Sequence, residues 1–157
     1  MKLWLKVFIC VLAINVLGGL GAIVTTPAIK DWYQTLEKPP GVPPNSVFGP
    51  VWVTLYSMIG LSLGLLWHRV PAGPAKRSGL IWFGVQMILN LIWSPVFFGA
   101  HWMGIALINI ASLLVILPFV IVKIRRLDKT AGRLLIPYAI WVGYATYLNA
   151  GYWWLNR

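Results

Sequence analysis

Charge is what this chain most lacks. Asp and Glu together occur three times, at Asp31, Glu37 and Asp128, and charged residues make up 10% of its 157 residues, against about 25% in an ordinary soluble domain. All three acids fall between apolar runs, which excludes paired-carboxylate acid/base catalysis within them. Cysteine occurs once, at Cys10, so no internal disulfide can form and no cysteine-built metal site is expected. The two histidines, His68 and His101, stand at the edges of apolar runs and read as interfacial polar residues. Nothing assembles a nucleophile, a base and an orienting group, and a conventional hydrolase is not expected.

What is abundant is hydrocarbon. Hydrophobic residues reach 59% and the mean hydropathy is +0.78, the composition of an integral membrane protein. Apolar runs at about 7–27, 47–67, 80–99, 104–122 and 134–154 each suit a helix crossing about 30 Å of hydrocarbon. They predict an all-α bundle of five transmembrane helices in one domain, 1–157. The first run follows Lys2 and Lys6 but is too long for a signal peptide and offers no convincing small-residue cleavage site. It reads as a retained span.

The net charge of +10 lies between the runs and forms no continuous basic face, which points to membrane topology and away from nucleic acid. Five spans put Lys2, Lys6, Arg69, Lys76, Arg77, Lys123, Arg125, Arg126, Lys129 and Arg133 on one side, and only Lys30, Lys38 and Arg157 on the other. In a plasma membrane this predicts a cytoplasmic N-terminus and an external C-terminus. The long connection at about 28–46 falls on the charge-poor side. Pro39, Pro40, Pro43 and Pro44 stiffen it, so it reads either as a semi-rigid lid or as an interfacial loop with Trp32 and Tyr33 at headgroup depth.

Polar residues inside the runs mark candidate function. In Asn90-Leu91-Ile92-Trp93-Ser94-Pro95-Val96-Phe97-Phe98-Gly99, proline frees the carbonyl of Leu91, and Ser94 and Asn90 are its nearest candidate partners. Gln86, Asn90, Trp93 and Phe97 share one helix face by spacing, which should point into protein. On the fifth run Pro137, Trp141, Ala145, Leu148 and Tyr152 keep helical spacing with Asn149 beside them, a pattern that suits a pocket wall or a packing stripe. Of ten tryptophans, Trp4, Trp67, Trp82, Trp102, Trp153 and Trp154 sit near span ends and read as belts. Trp52, Trp93 and Trp141 lie inside spans. Gly60-Leu61-Ser62-Leu63-Gly64 fits the small-xxx-small pattern, for a dimer or for packing within the bundle.

Trp32-Tyr33-x-x-Leu36-x-Lys38-Pro39 with Pro43-Pro44, then Trp52 and Tyr56, the Asn90 to Gly99 stretch, and Leu135-Ile136-Pro137-Tyr138-x-x-Trp141 with Ala145-Thr146-Tyr147-Leu148-Asn149, together resemble the TspO/MBR family. These are the tryptophan-rich sensory proteins related to the mitochondrial translocator protein, or peripheral benzodiazepine receptor. The resemblance implies five transmembrane helices, frequent homodimers and a pocket under the first long loop for porphyrins and isoquinoline or benzodiazepine-type ligands. Porphyrin would be a ligand, with no cofactor or metal required.

The lid and the second span then supply Trp32, Tyr33, Lys38, Trp52 and Tyr56 as candidate ligand-binding residues. The later helices supply Gln86, Asn90, Trp93, Phe97, Tyr138, Trp141, Ala145, Leu148 and Asn149. Lys38 would either reach a propionate or snorkel to headgroups. The family is also associated with light-dependent porphyrin breakdown, for which Trp52 and Trp141 match the implicated tryptophans. Two other classes stand beside a receptor: a transporter of porphyrins or other hydrophobic anions, which lacks a membrane-embedded charge to couple to an ion gradient, and a regulatory protein acting through partners. Leu148, Tyr152 and Arg157 also satisfy a loose sterol motif, equally readable as an aromatic belt with a terminal basic anchor.

Overall fold

The computed structural model covers residues 1–157 and is all-helical. Its elements are α1 (Leu3–Lys30), α2 (Asn45–Arg69), α3 (Pro74–Ser94) continued by a π-helical turn (Pro95–Gly99), α4 (Met103–Leu127), the short α5 (Lys129–Leu134) and α6 (Ile136–Leu155). Each apolar run falls on a long helix, and α1, α2 and α4 extend beyond their runs at both ends. Hydropathy registers the hydrocarbon, whereas helix ends follow caps. Thus α3 begins at Pro74, directly after Gly73, since proline is tolerated where the N–H has no helical partner. The expected 123–133 loop is mostly helix: α4 runs to Leu127, and Asp128 caps α5 by accepting the Ala131 N–H at 2.7 Å.

Four helices are long and apolar enough to cross a membrane: α1, α2, α3 with its π turn, and α4. The fifth run, now α6, is 20 residues long but is not among them. Four tyrosines, three tryptophans, Asn149 and Pro137 dilute its hydropathy.

Glycine decides how closely α1 and α2 approach. A Cβ added to Gly60 would stand 2.5 Å from Val11 Cα, and one added to Gly64 would stand 2.7 Å from Val7 Cα. The small-xxx-small pattern is therefore consumed inside the bundle, where bare backbones let dispersion contacts accumulate. Its reading as a dimer signal is corrected.

The core divides along its length. Ile59, Leu66, Leu113, Leu117, Val120 and Ile124 fill the half nearer the basic loops, while Tyr33, Phe97, Phe98 and Tyr152 form a second, aromatic cluster at the lid end. Side-chain hydrogen bonds tie neighbouring helices: Asn15 Nδ2 to Ser57 Oγ at 3.1 Å, Thr25 to Ser94 through their hydroxyls at 2.5 Å, and Asn109 Nδ2 to the Leu89 carbonyl at 2.8 Å. Each contributes on the order of 0.6 kcal/mol in a bilayer.

Pro95 opens the helical ladder as its chemistry requires. The Ala100 N–H donates to the Pro95 carbonyl at 2.9 Å, a five-residue step, and the widened turn carries both Phe97 and Phe98 inward, to 2% and 9% exposure. A regular helix would swing successive side chains about 100° apart. The sequence expectation that Asn90 and Ser94 serve the freed Leu91 carbonyl is corrected, because both side chains are engaged across helices. Asn90 Oδ1 accepts from Tyr56 Oη at 3.0 Å and Ser94 pairs with Thr25.

Candidate functional site

In the lid half the helices part around a cavity of about 400 Å³. Its walls come from α1, α2, α3 with the π turn, and α6, with Tyr33 of the connection above. Of the sequence candidates, Tyr33, Trp52, Tyr56, Asn90, Trp93 and Phe97 line it, as do Trp141, Ala145, Leu148 and Asn149. Three tryptophans thus reach one space from three different helices.

Their surroundings differ. Trp52 stacks on Tyr56 with ring centroids 5.2 Å apart, and Trp93 stacks on Phe97 at 5.2 Å. The Trp93 indole N–H donates to Asn149 Oδ1 at 2.9 Å, and Asn149 Nδ2 donates to the Met103 carbonyl at 2.9 Å. Asn149 is therefore a clamp fixing Trp93 and the start of α4. Trp141 meets Phe48 edge-on at 6.2 Å, and its buried indole nitrogen has no partner.

Four candidates lie outside the lining. Gln86 and Tyr138 are each fully buried one turn below Asn90 and Trp141, toward the basic loops, with unpartnered polar atoms. Trp32 stacks flat on His101, 4.0 Å between centroids, and props the lid against the turn after Phe98. Lys38 is exposed and does not line the cavity. The sterol motif is split: Leu148 and Tyr152 line the cavity, while Arg157 lies 3.5 Å above the Trp154 ring.

The site also includes residues that sequence reasoning missed, chiefly on α1. Asn15, Gly18, Gly21, Ala22 and Thr25 line the cavity, joined by Phe48 and Ser94. The available signal was the small, polar interruption Gly18-Gly19-Leu20-Gly21-Ala22 with Thr25-Thr26 in the second half of the first span. Gly18 is needed because an added Cβ would strike the Tyr56 ring.

Residues Asp31–Pro44 form the lid, with one 3₁₀ turn at Tyr33–Thr35. It is strapped to α6. Tyr144 Oη donates to the Gly41 carbonyl at 2.5 Å, Tyr147 Oη to the Pro40 carbonyl at 3.0 Å, and Asn156 holds Glu37 twice, accepting its N–H at 2.8 Å and donating to its carbonyl at 3.0 Å. Beneath, the phenols of Tyr33 and Tyr152 share a hydrogen bond of 2.7 Å. Burial first, and then the bond to Tyr152, push the Tyr33 phenol above the ordinary tyrosine range, so it stays neutral at physiological pH.

The TspO/MBR family profile matches residues 10–155. The chain belongs to the TspO/MBR family. It is 34% identical over 152 residues to the tryptophan-rich protein TspO of Archaeoglobus fulgidus, covering 97% of each chain. It is 33% identical to protein CrtK of Rhodobacter capsulatus, covering 88% of this chain and 85% of that one. Against the human translocator protein the identity is 37% over 125 residues, 78% of this chain and 73% of the human one. The chain is thus a membrane protein of this family, with several helices apolar enough for a multi-pass arrangement.

For this TspO/MBR chain the strap has a direct test. Glu37 is its only glutamate, so a glutamyl-specific protease reports on the lid at one bond. Asn156→Ala removes both hydrogen bonds to Glu37 and is expected to speed cleavage there about tenfold, equivalent to about 1.4 kcal/mol of lid docking. An unchanged rate would show that these bonds do not hold the lid.

Proposed function

We propose that the cavity is a receptor site for flat, hydrophobic small molecules, with porphyrins of the protoporphyrin type as the first ligands to test and drug-like aromatic compounds as competitors. The observation that carries this is the convergence of Trp52, Trp93 and Trp141 from α2, α3 and α6 on a single cavity of about 400 Å³. That size and its apolar, aromatic lining with a few oriented polar atoms have the general form of a small-molecule site. Indole faces favour a stacked macrocycle. Porphyrin acts in this reading as ligand, not as a resident cofactor.

The lining contains no Asp, Glu, Lys, Arg or His, which favours a receptor over a carrier coupled to an ion gradient. The same reading takes α6 as a fifth span, with the N-terminus cytoplasmic by the distribution of basic residues. It also places any light-dependent porphyrin loss at the indoles of Trp52 and Trp141 beside an excited porphyrin, the two tryptophans matching the family's implicated positions.

Protoporphyrin IX is expected to quench the intrinsic tryptophan fluorescence saturably in purified protein. Trp141→Phe and Asn90→Ala should each weaken that affinity about tenfold, equivalent to about 1.4 kcal/mol. Non-saturable quenching, or affinity indifferent to both changes, would sink the assignment.

A further inference from the structure

The cavity has two boundaries that differ in kind, the lid above and the gap between α1 and α2 at the side. The lower course of that gap is shut. Gly60 and Gly64 seat the backbone of Val11 and Val7, Asn15 bonds Ser57 one turn higher, and Gly18 lies against the Tyr56 ring. Above Gly18 the two helices no longer seal. Gly19, Ala22 and Thr26 of α1, and Gly49 and Val53 of α2, line the cavity and are also exposed on the outside of the protein. Exposed lining residues on two neighbouring helices border an opening of the cavity. A Cβ added at Gly19 or at Gly49 would meet nothing within 4 Å, so neither glycine is there to let a neighbour approach.

Val53, which borders this slot, is apolar and exposed by 59%. Both helices are among those apolar enough to cross a membrane, so the slot faces acyl chains. From this geometry we infer that ligands reach the cavity sideways from the hydrocarbon, between α1 and α2, while the strapped lid stays closed. The site then selects molecules that dissolve in the bilayer, and the concentration it senses is the mole fraction of ligand in lipid. An unliganded cavity is open to a lipid tail by the same route. The lid, held by Tyr144, Tyr147 and Asn156 of α6, serves as a roof that excludes water. This inference rests on the receptor reading of the cavity and adds the route and the solubility class of its ligand.

The test uses protoporphyrin IX and the full chain in liposomes of phosphatidylcholine with phosphatidylglycerol, followed by stopped-flow tryptophan quenching. In the wild-type chain, adding lipid at constant total porphyrin should slow association in proportion to the falling mole fraction in the bilayer. Gly19→Phe and Gly49→Phe narrow the slot where the packing has room, and should slow association and dissociation together by about tenfold, as a gate requires. Asn156→Ala, which loosens the lid, should leave both rates within about twofold. Association that follows the aqueous porphyrin concentration overturns the inference, as do rates unchanged by both phenylalanines or accelerated by Asn156→Ala. If a phenylalanine fills the cavity and abolishes binding, the lipid titration of the wild-type chain decides alone. Absence of saturable binding in the wild-type chain would instead fell the receptor reading, so the two failures are distinct.

Discussion

Replacing Gly60 with leucine is expected to force α1 away from α2 and to lower the stability of the bundle by about 3 kcal/mol or more, the upper end of what overpacking costs. The reason is geometric. The first added atom would already stand 2.5 Å from Val11 Cα and 2.9 Å from the Cys10 carbonyl oxygen, and a backbone cannot rotate aside as a side chain can. The cavity should suffer too, because its floor begins where this contact ends. Gly19→Ala is the matched control: it lies on the same helix, meets nothing within 4 Å, and should stabilise α1 by up to about 1 kcal/mol through helix propensity. Unfolding midpoints in one detergent would measure both. A Gly60→Leu protein as stable as the parent would show that α1 and α2 are not in this contact.

Ala145→Trp should abolish ligand binding with the bundle intact. Ala145 lines the cavity from the middle of α6, so an indole there projects into the volume a macrocycle needs. Protoporphyrin affinity is expected to fall at least about 100-fold, equivalent to about 2.7 kcal/mol, with the unfolding midpoint nearly unchanged because the new ring enters existing space. Ile140→Trp, at a position exposed by 70%, changes the lipid-facing side of the same helix and should leave affinity within about twofold. Equal affinities for Ala145→Trp and the parent in the quenching titration would place the ligand elsewhere.

Much of the fold was legible in the sequence because hydrocarbon imposes one period and one length. Each of the five apolar runs became a long helix, and the TspO/MBR motifs marked the right family. What hydropathy could not show was where contacts end and cavities begin. Gln86 shares a face with Asn90 by spacing, and it is buried as that face predicts, but it lies one turn too deep to reach the cavity. Nothing in a period of 3.6 residues says at which turn the helices part. The part played by α1 was hidden for a related reason: Gly18 to Ala22 read as ordinary span residues until Tyr56 and the gap beside α2 gave them neighbours. Likewise Pro95 announced a break in the ladder, but not that the break would be a π turn bringing Phe98 inward beside Phe97. The low hydropathy of α6 has the converse explanation. One helix carries much of the cavity wall and the roof's attachments together, and tyrosine, asparagine and tryptophan are the residues that do both.

The manner of the roof's attachment has an evolutionary consequence. Apart from the Tyr33–Tyr152 pair, the bonds from Tyr144, Tyr147 and Asn156 all end on backbone atoms of residues 37–41. Backbone atoms are common to every residue type, so mutations in the outward side chains of this segment, Lys38 among them, leave its fastening untouched. Lineages can therefore redecorate the segment, or exchange it for another of equal length, while the anchoring side chains stay encoded more than a hundred residues away.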